Sequence, residues 1–143
     1  MAAVDDFDGV VERYHLALDE FSRGNPDPVK DFYSGRDDVA IANPFFPLTS
    51  GREQVVGRLE RSVQNFSDGE VGFEKVVEWV SDDLACIVEL EEWRTKVGGR
   101  EDVTPFTLRV TTLFRAEGGE WKVVHRHADP ITTARPAESV IPE

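Results

Sequence analysis

A change in the spacing of apolar residues near residue 70 constrains the fold of this chain more than any other feature. Before it, apolar side chains recur every three or four positions, as in amphipathic helices that bury one face. From Val71 to Asp129 they largely alternate with polar side chains, as in the strands of a half-buried sheet. Helices followed by strands predict an α+β fold, with the helices packed on one face of an antiparallel sheet.

The first half of the sequence predicts helices around one short strand. The first helix ends at Gly24-Asn25-Pro26, with Asp5 or Asp6 as its N-cap, and Asp27-Pro28 opens a short second helix. Ser50-Gly51-Arg52-Glu53 has the form of a capping box and opens a third helix that stops at 67–69. A strand over 39–42 leads into a bent loop over 43–47, since two prolines interrupt any regular ladder there.

The second half predicts a four-strand antiparallel meander. Its strands run from residue 70 to a turn at 81–83, over 84–97, over 103–116 and over 120–129. The three helices close the concave face of this curved, cone-shaped sheet and leave a pocket between helix and sheet. Residues 1–130 are expected to form one domain, and 131–143 a proline-containing C-terminal tail.

Composition excludes several classes of partner. The net charge is -12, from 28 acidic and 16 basic residues, which repels nucleic acid and anionic membranes. No apolar run approaches the roughly 20 residues of a membrane span, and residues 1–20 lack the pattern of a signal peptide. The single cysteine, Cys86, forms no internal disulfide, so we expect a cytoplasmic protein. Nothing in the sequence indicates a cofactor.

The closing strand carries two of the three histidines. Regular alternation places Trp121, Val123, His125 and His127 on one face, with the two imidazoles roughly 7 Å apart. Each imidazole can move a proton near neutral pH if a carboxylate orients it, and the candidate partners are Glu89, Glu91 and Asp129. Three alternatives stay open: histidines that are only structural, pocket lining for binding, and acid/base catalysis.

Two further expectations concern the histidines. A metal site is not expected, because His-x-His with one glutamate lacks the complete ligand set of a zinc cluster. His15 lies off the apolar stripe of the first helix and is expected to face solvent.

The pocket is expected to take an apolar ligand. Its predicted ligand-binding residues include the aromatic Phe32, Phe45 and Trp79. The strand over 84–97 allows two orientations: either Leu84, Cys86, Val88 and Leu90 face the helices, or Glu89 and Glu91 do. The second orientation leaves an apolar outer face for a partner subunit to cover.

The order of elements, with Trp121 before His125-Arg126-His127, resembles the cone-shaped superfamily of nuclear transport factor 2, ketosteroid isomerase and the SnoaL-like polyketide cyclases. The resemblance covers roughly residues 5 to 130. The segment from Val10 to Tyr14 resembles the first helix of ketosteroid isomerase, which implies an oxyanion-donor role for Tyr14. Asn43 stands where that enzyme has its basic aspartate, and its second acid falls near Thr111 or Thr112, so the resemblance implies Asn43 and Thr112 as ligand-binding residues. Any proton transfer would therefore need His125 or His127.

The segments Ala85-Cys86-Ile87 and 121–127 also resemble the association domain of calcium/calmodulin-dependent protein kinase II, an oligomerisation module. Its pocket arginine corresponds to Glu91. This resemblance favours Glu91 inside the pocket, with a homodimer formed through the convex sheet face, where Arg109, Thr111 and Leu113 would lie.

Three functions are open at this point. The first is a binding protein for a small hydrophobic or ring-bearing ligand. The second is an isomerase, cyclase or hydratase that uses His127, His125 and Tyr14. The third is an oligomerisation module without a ligand.

Overall fold

The computed structural model describes residues 6–143, so the predicted cap at Asp5 lies outside the described residues. The helices are α1 (Phe7–Ser22), α2 (Asp27–Phe32) and α3 (Arg52–Ser62). The strands are β1 (Ala40–Asn43), β2 (Phe46–Ser50), β3 (Phe66–Val80), β4 (Leu84–Val97), β5 (Thr104–Glu117) and β6 (Glu120–Asp129). Short 3-10 turns cover Val63–Asn65 and, in the C-terminal tail, Ala137–Val140. No helix in the described range is long and apolar enough to cross a membrane.

The start of α1 is as predicted, whereas that of α3 is not. The Asp6 carboxylate accepts a hydrogen bond from the Gly9 amide and caps α1. The predicted capping box of α3 does not form, because Ser50 is the last residue of β2 and Gly51 is the N-cap without a side-chain bond. Instead, the Asp37 carboxylate accepts a hydrogen bond from the Arg52 amide at 3.0 Å, in the first turn of the helix. The helix also ends earlier than predicted, since Phe66 already begins β3.

One sheet contains all six strands, in the order β2-β1-β6-β5-β4-β3. The predicted antiparallel meander from β3 to β6 is confirmed, and so is the α+β cone. The prediction of a loop over Phe46 and Pro47 was wrong, because Asn43 pairs with Phe46 and β2 folds back on β1. β1 also runs parallel to β6, with Ile41 beside Arg126, and so adds two strands to the meander.

The orientation of β4 resolves the ambiguity left by the sequence. Its odd-numbered residues from Ala85 to Thr95 are all buried toward the helices, including Glu89 and Glu91. In β5 the inward residues are Leu108, Val110, Thr112 and Phe114, as predicted. The apolar even-numbered residues of β4 therefore lie on the outer face of the sheet.

A β-bulge interrupts the alternation in β6. Phe114 pairs with Val123 and its neighbour Leu113 pairs with His125, so Val124 has no partner of its own. Before the bulge, Trp121 and Val123 face inward; after it, the buried residues are Arg126 and Ala128. Regular alternation would place the two histidines on the inner face and Arg126 on the outer face. The bulge reverses this, so Arg126 faces inward and both histidines face outward.

Candidate ligand-binding site

A cavity of about 650 Å³ lies between the helices and the concave face of the sheet. Its walls are mainly apolar and include Leu18, Phe21, Leu59, Trp93, Phe106 and Leu108. Exposed residues from separate loops and turns form its mouth, namely Pro44, Phe45, Asn65, Arg100 and Pro130. A volume of this size is within the usual range for small-molecule sites.

A buried ion pair forms the polar part of this cavity. The Arg126 guanidinium, which lines the cavity, donates from Nη1 and Nη2 to the two oxygens of Glu91 at 2.7 and 2.8 Å. Its Nε donates to Asn43 Oδ1 at 3.1 Å, and Trp93 Nε1 donates to Glu91 at 2.9 Å. Side-chain exposure is only 5% for Arg126 and 1% for Glu91, so neither charge is screened by water.

The charge of Glu91 keeps the Arg126 guanidinium protonated despite its burial. Burial alone would lower the pKa of Arg126, but the charge and hydrogen bonds of Glu91 hold it well above its usual value. The guanidinium carries five N–H groups, of which the named contacts use three. Donor capacity therefore remains at a cavity wall whose net charge is zero.

Two buried tyrosines lie close to the pair. Within the described chain the Tyr33 hydroxyl has no hydrogen-bond partner, and the Tyr14 hydroxyl has none of good geometry, although Arg126 lies beside it. Burial raises the pKa of Tyr14 to about 12, against the lowering effect of the Arg126 charge, and raises that of Tyr33 well above its usual value. Tyr33 lines the cavity, whereas Tyr14 packs edge-on against Phe32 and Phe114. Both phenols stay protonated donors at neutral pH.

The prediction that His125 and His127 face the cavity was wrong, because the bulge at Val124 turns both to the outer face. His125 donates from Nδ1 to the Ala40 carbonyl at 2.9 Å. His127 is 58% exposed, and its Nε2 lies 3.5 Å from Asp129. Neither imidazole lines the cavity, so neither is placed to move a proton on a ligand inside it.

Of the three predicted carboxylate partners, Asp129 lies beside His127 on the outer face, and the other two bind other groups. Glu91 pairs with Arg126, and Glu89, only 3% exposed, accepts from His15 Nε2 at 2.6 Å. The His15 ring also stacks on Phe73 with 3.6 Å between centroids. The expectation that His15 faces solvent was therefore wrong, since α1 packs its imidazole against the sheet.

The other predicted ligand-binding residues lie in three different places. Asn43 and Phe45 line the cavity. Phe32 and Thr112 belong to the packed interior and do not line it. Trp79 was placed wrongly: it is 59% exposed and pairs with Cys86 on the outer face of the sheet. No group of three or more His, Cys, Asp or Glu side chains in residues 6–143 is arranged to hold a metal ion.

Sequence reasoning missed Arg126 and Tyr33 as cavity residues. The available signal was Glu91, which was expected inside the cone and which needs a cation when buried. Arg126 is the cation nearest the predicted site on the closing strand, but regular alternation assigned it to the outer face.

The fold and the site together define the class of this protein, a cone-shaped α+β domain with an internal, largely apolar cavity between helix and sheet. A family model described as SnoaL-like domain matches residues 10–132, and the chain belongs to this family. Comparison with curated proteins finds no significant match.

Several solved structures share the fold at low sequence identity. A candidate calcium/calmodulin-dependent protein kinase type II association domain from Thiobacillus denitrificans is 17% identical, with a TM-score of 0.73 over 92% of this chain and 98% of its own. A candidate dehydratase of the NTF2-like family from Streptomyces avermitilis is 20% identical, with a TM-score of 0.72 over 91% and 96%. A ketosteroid isomerase-like protein from Erwinia carotovora atroseptica is 18% identical, with a TM-score of 0.69 over 88% and 94%. At these identities the likeness establishes the fold alone.

Proposed function

We propose that this protein binds a small, ring-bearing, hydrophobic ligand in the cavity of its cone, without chemical turnover. The observation that carries the proposal is an apolar cavity of about 650 Å³ that presents the unpartnered hydroxyl of Tyr33 together with the Arg126 guanidinium. A buried hydroxyl without a partner costs about 1–3 kcal/mol, and a ligand oxygen that accepts from it recovers part of that cost. Apolar walls around a few polar groups are the usual composition of such sites.

The cavity lining favours binding over catalysis. None of its described lining residues is a histidine or a carboxylate, and its ionisable side chains are those of Tyr33, Arg100 and Arg126. General acid/base catalysis at neutral pH needs a group that gains and loses a proton there. Glu91 is near, but the bidentate hydrogen bonds from Arg126 occupy both of its oxygens. The histidine-dependent isomerase, cyclase or hydratase mechanism thus has no base at the cavity.

The test is titration with a flat aromatic ketone, methyl naphthyl ketone, followed by calorimetry and by the thermal unfolding midpoint. We expect saturable binding and a raised midpoint for the unaltered protein. Val97→Trp fills the cavity from its wall and should abolish both effects, while Val103→Trp, at a 48% exposed position outside the lining, should retain them. Circular dichroism checks that both variants are folded. Binding that survives Val97→Trp would locate the ligand elsewhere and contradict the proposal.

A further inference from the structure

The Glu91–Arg126 pair determines which ligand charge the cavity accepts. Resting on the proposed binding function, we infer that the site selects uncharged ligands bearing a carbonyl or similar acceptor oxygen, and that Glu91 is the residue that excludes carboxylates. An arginine at the wall of an apolar cavity would otherwise be a carboxylate receptor, because its planar fork matches that anion. Here Glu91 occupies the fork already.

The geometry of the pair leaves no cationic site inside the cavity. Both Glu91 oxygens accept from the two terminal nitrogens of Arg126, and Asn43 Oδ1 accepts from its Nε–H. A carboxylate ligand would lose its hydration shell and face a pair whose net charge is zero. It would also meet the negative charge of Glu91, which is 1% exposed and therefore unscreened.

A neutral acceptor meets no such cost. The Tyr33 hydroxyl lines the cavity without a partner, and the Arg126 guanidinium also lines it with terminal N–H groups that the bonds to Glu91 do not all use. A ketone oxygen accepts from these groups without bringing a charge into the cavity. Arg100 is the other cation in the lining, but it is exposed at the mouth, where water weakens its attraction for anions.

The first experiment compares two ligands of one skeleton, methyl naphthyl ketone and naphthoic acid, on the unaltered protein at neutral pH. The ketone is expected to bind at least tenfold more tightly. As the pH falls from 7 toward 5, the apparent affinity of the acid should rise about tenfold per unit, because only its protonated form enters. Calorimetry in two buffers of different ionisation enthalpy should then show uptake of one proton per ligand.

The second experiment assigns the selectivity to Glu91. Glu91→Gln removes one negative charge at nearly constant shape and frees Arg126, so naphthoate affinity should rise at least tenfold while ketone affinity changes little. The double variant Glu91→Gln/Arg126→Gln is the matched control, and it should not gain naphthoate binding. Urea unfolding establishes that each variant is folded, and the pH series on the unaltered protein decides the inference if Glu91→Gln is not.

Each outcome separates this inference from the proposed function. Naphthoate binding as tight as the ketone's, or an acid affinity independent of pH, overturns the charge selectivity and leaves a binding cavity. A folded Glu91→Gln variant that gains no naphthoate affinity overturns the role of Glu91 alone. If neither compound binds the unaltered protein, the proposed function fails and the inference fails with it.

Discussion

Both tyrosines of the chain are buried beside the Arg126 guanidinium, so tyrosine ionisation reports on the site alone. Burial raises the pKa of Tyr14 to about 12 and that of Tyr33 well above its usual value. An unfolded chain would ionise both near pH 10. The folded form therefore holds more protons between about pH 10 and 12, and the unfolding free energy falls as pH rises through that window.

The measurement is a pH titration of the tyrosinate absorption band, with circular dichroism recorded in parallel. Folded protein is expected to show no tyrosinate at pH 10, where protein unfolded in guanidinium chloride should be about half ionised. Tyrosinate absorption should appear only toward pH 12 or together with loss of structure. Half-developed absorption near pH 10, with a native circular dichroism spectrum, would show that the hydroxyls are accessible to water.

At the same scale, the chemistry of the site depends on partners that are distant in sequence. Glu91 and Arg126 are 35 positions apart, and His15 and Glu89 are 74 apart. Residue type left the orientation of Glu91 open, and the family resemblance favoured its position inside the cone, where the structure places it. Which cation meets which carboxylate depends on strand register, which composition and periodicity do not specify.

At the scale of elements, the junction between α1 and the bulged start of β3 allows no added volume at Gly69. Asp68 adopts a positive φ of 53°, and the pairing of β3 with β4 shifts between Ser67 and Glu70. A Cβ on Gly69 would lie 2.5 Å from the Ser22 carbonyl oxygen and 2.7 Å from Thr95 Cβ. The Ser22 oxygen belongs to the backbone and Thr95 is fully buried, so moving either atom aside would disturb the packing.

Gly69→Ala is therefore expected to lower the unfolding free energy by about 1–3 kcal/mol, the usual cost of overpacking. Gly35→Ala is the matched control, because a Cβ there meets no atom within 4 Å and the backbone is not strained. Its effect should stay within about 0.5 kcal/mol. Urea unfolding followed by tryptophan fluorescence measures both. Equal effects for the two variants would show that the junction relaxes without cost.

Local sequence patterns predicted most of the helices and strands but not the irregular parts of the sheet. The change of period near residue 70 predicted the order of helices and strands, and the bounds of β4 match the prediction at both ends. The β-bulge at Val124 was not predictable from alternation, because the consecutive apolar pair Val123 and Val124 is its only trace in the sequence. Because of this one unpaired residue, Arg126 lines the cavity and both histidines lie on the outer face. β2 was missed because its proline, Pro47, is tolerated in a strand at the edge of the sheet.

At the scale of the whole molecule, the outer face of the sheet is more apolar than a monomer needs. Apolar side chains from three strands lie on it, namely Val77, Trp79, Leu84, Cys86, Val88, Leu90 and Leu113. Trp79 is 59% exposed and Leu84 45%. Contiguous apolar patches of this kind mark interaction surfaces in soluble proteins. We expect two copies to pack these faces together about a two-fold axis, since homodimers of that symmetry are the commonest oligomers.

Leu90→Lys tests this dimer in analytical ultracentrifugation. The unaltered protein should sediment at twice the 16.1 kDa mass of the chain, and the variant should weaken association at least tenfold by placing a charge in the apolar contact. Leu16→Lys, at a 66% exposed position on α1, is the control and should remain dimeric. Because Leu90 points away from the cavity, ketone binding should persist in the monomeric variant.

Cys86 supplies a second readout from the same face. It is the only cysteine of the chain, and burial raises the pKa of its thiol. A thiol reagent should react more slowly as protein concentration rises and dimers cover Cys86, and faster with Leu90→Lys at every concentration. A reaction rate independent of concentration, with a monomer at micromolar protein, would contradict the dimer and leave the outer face to a different partner.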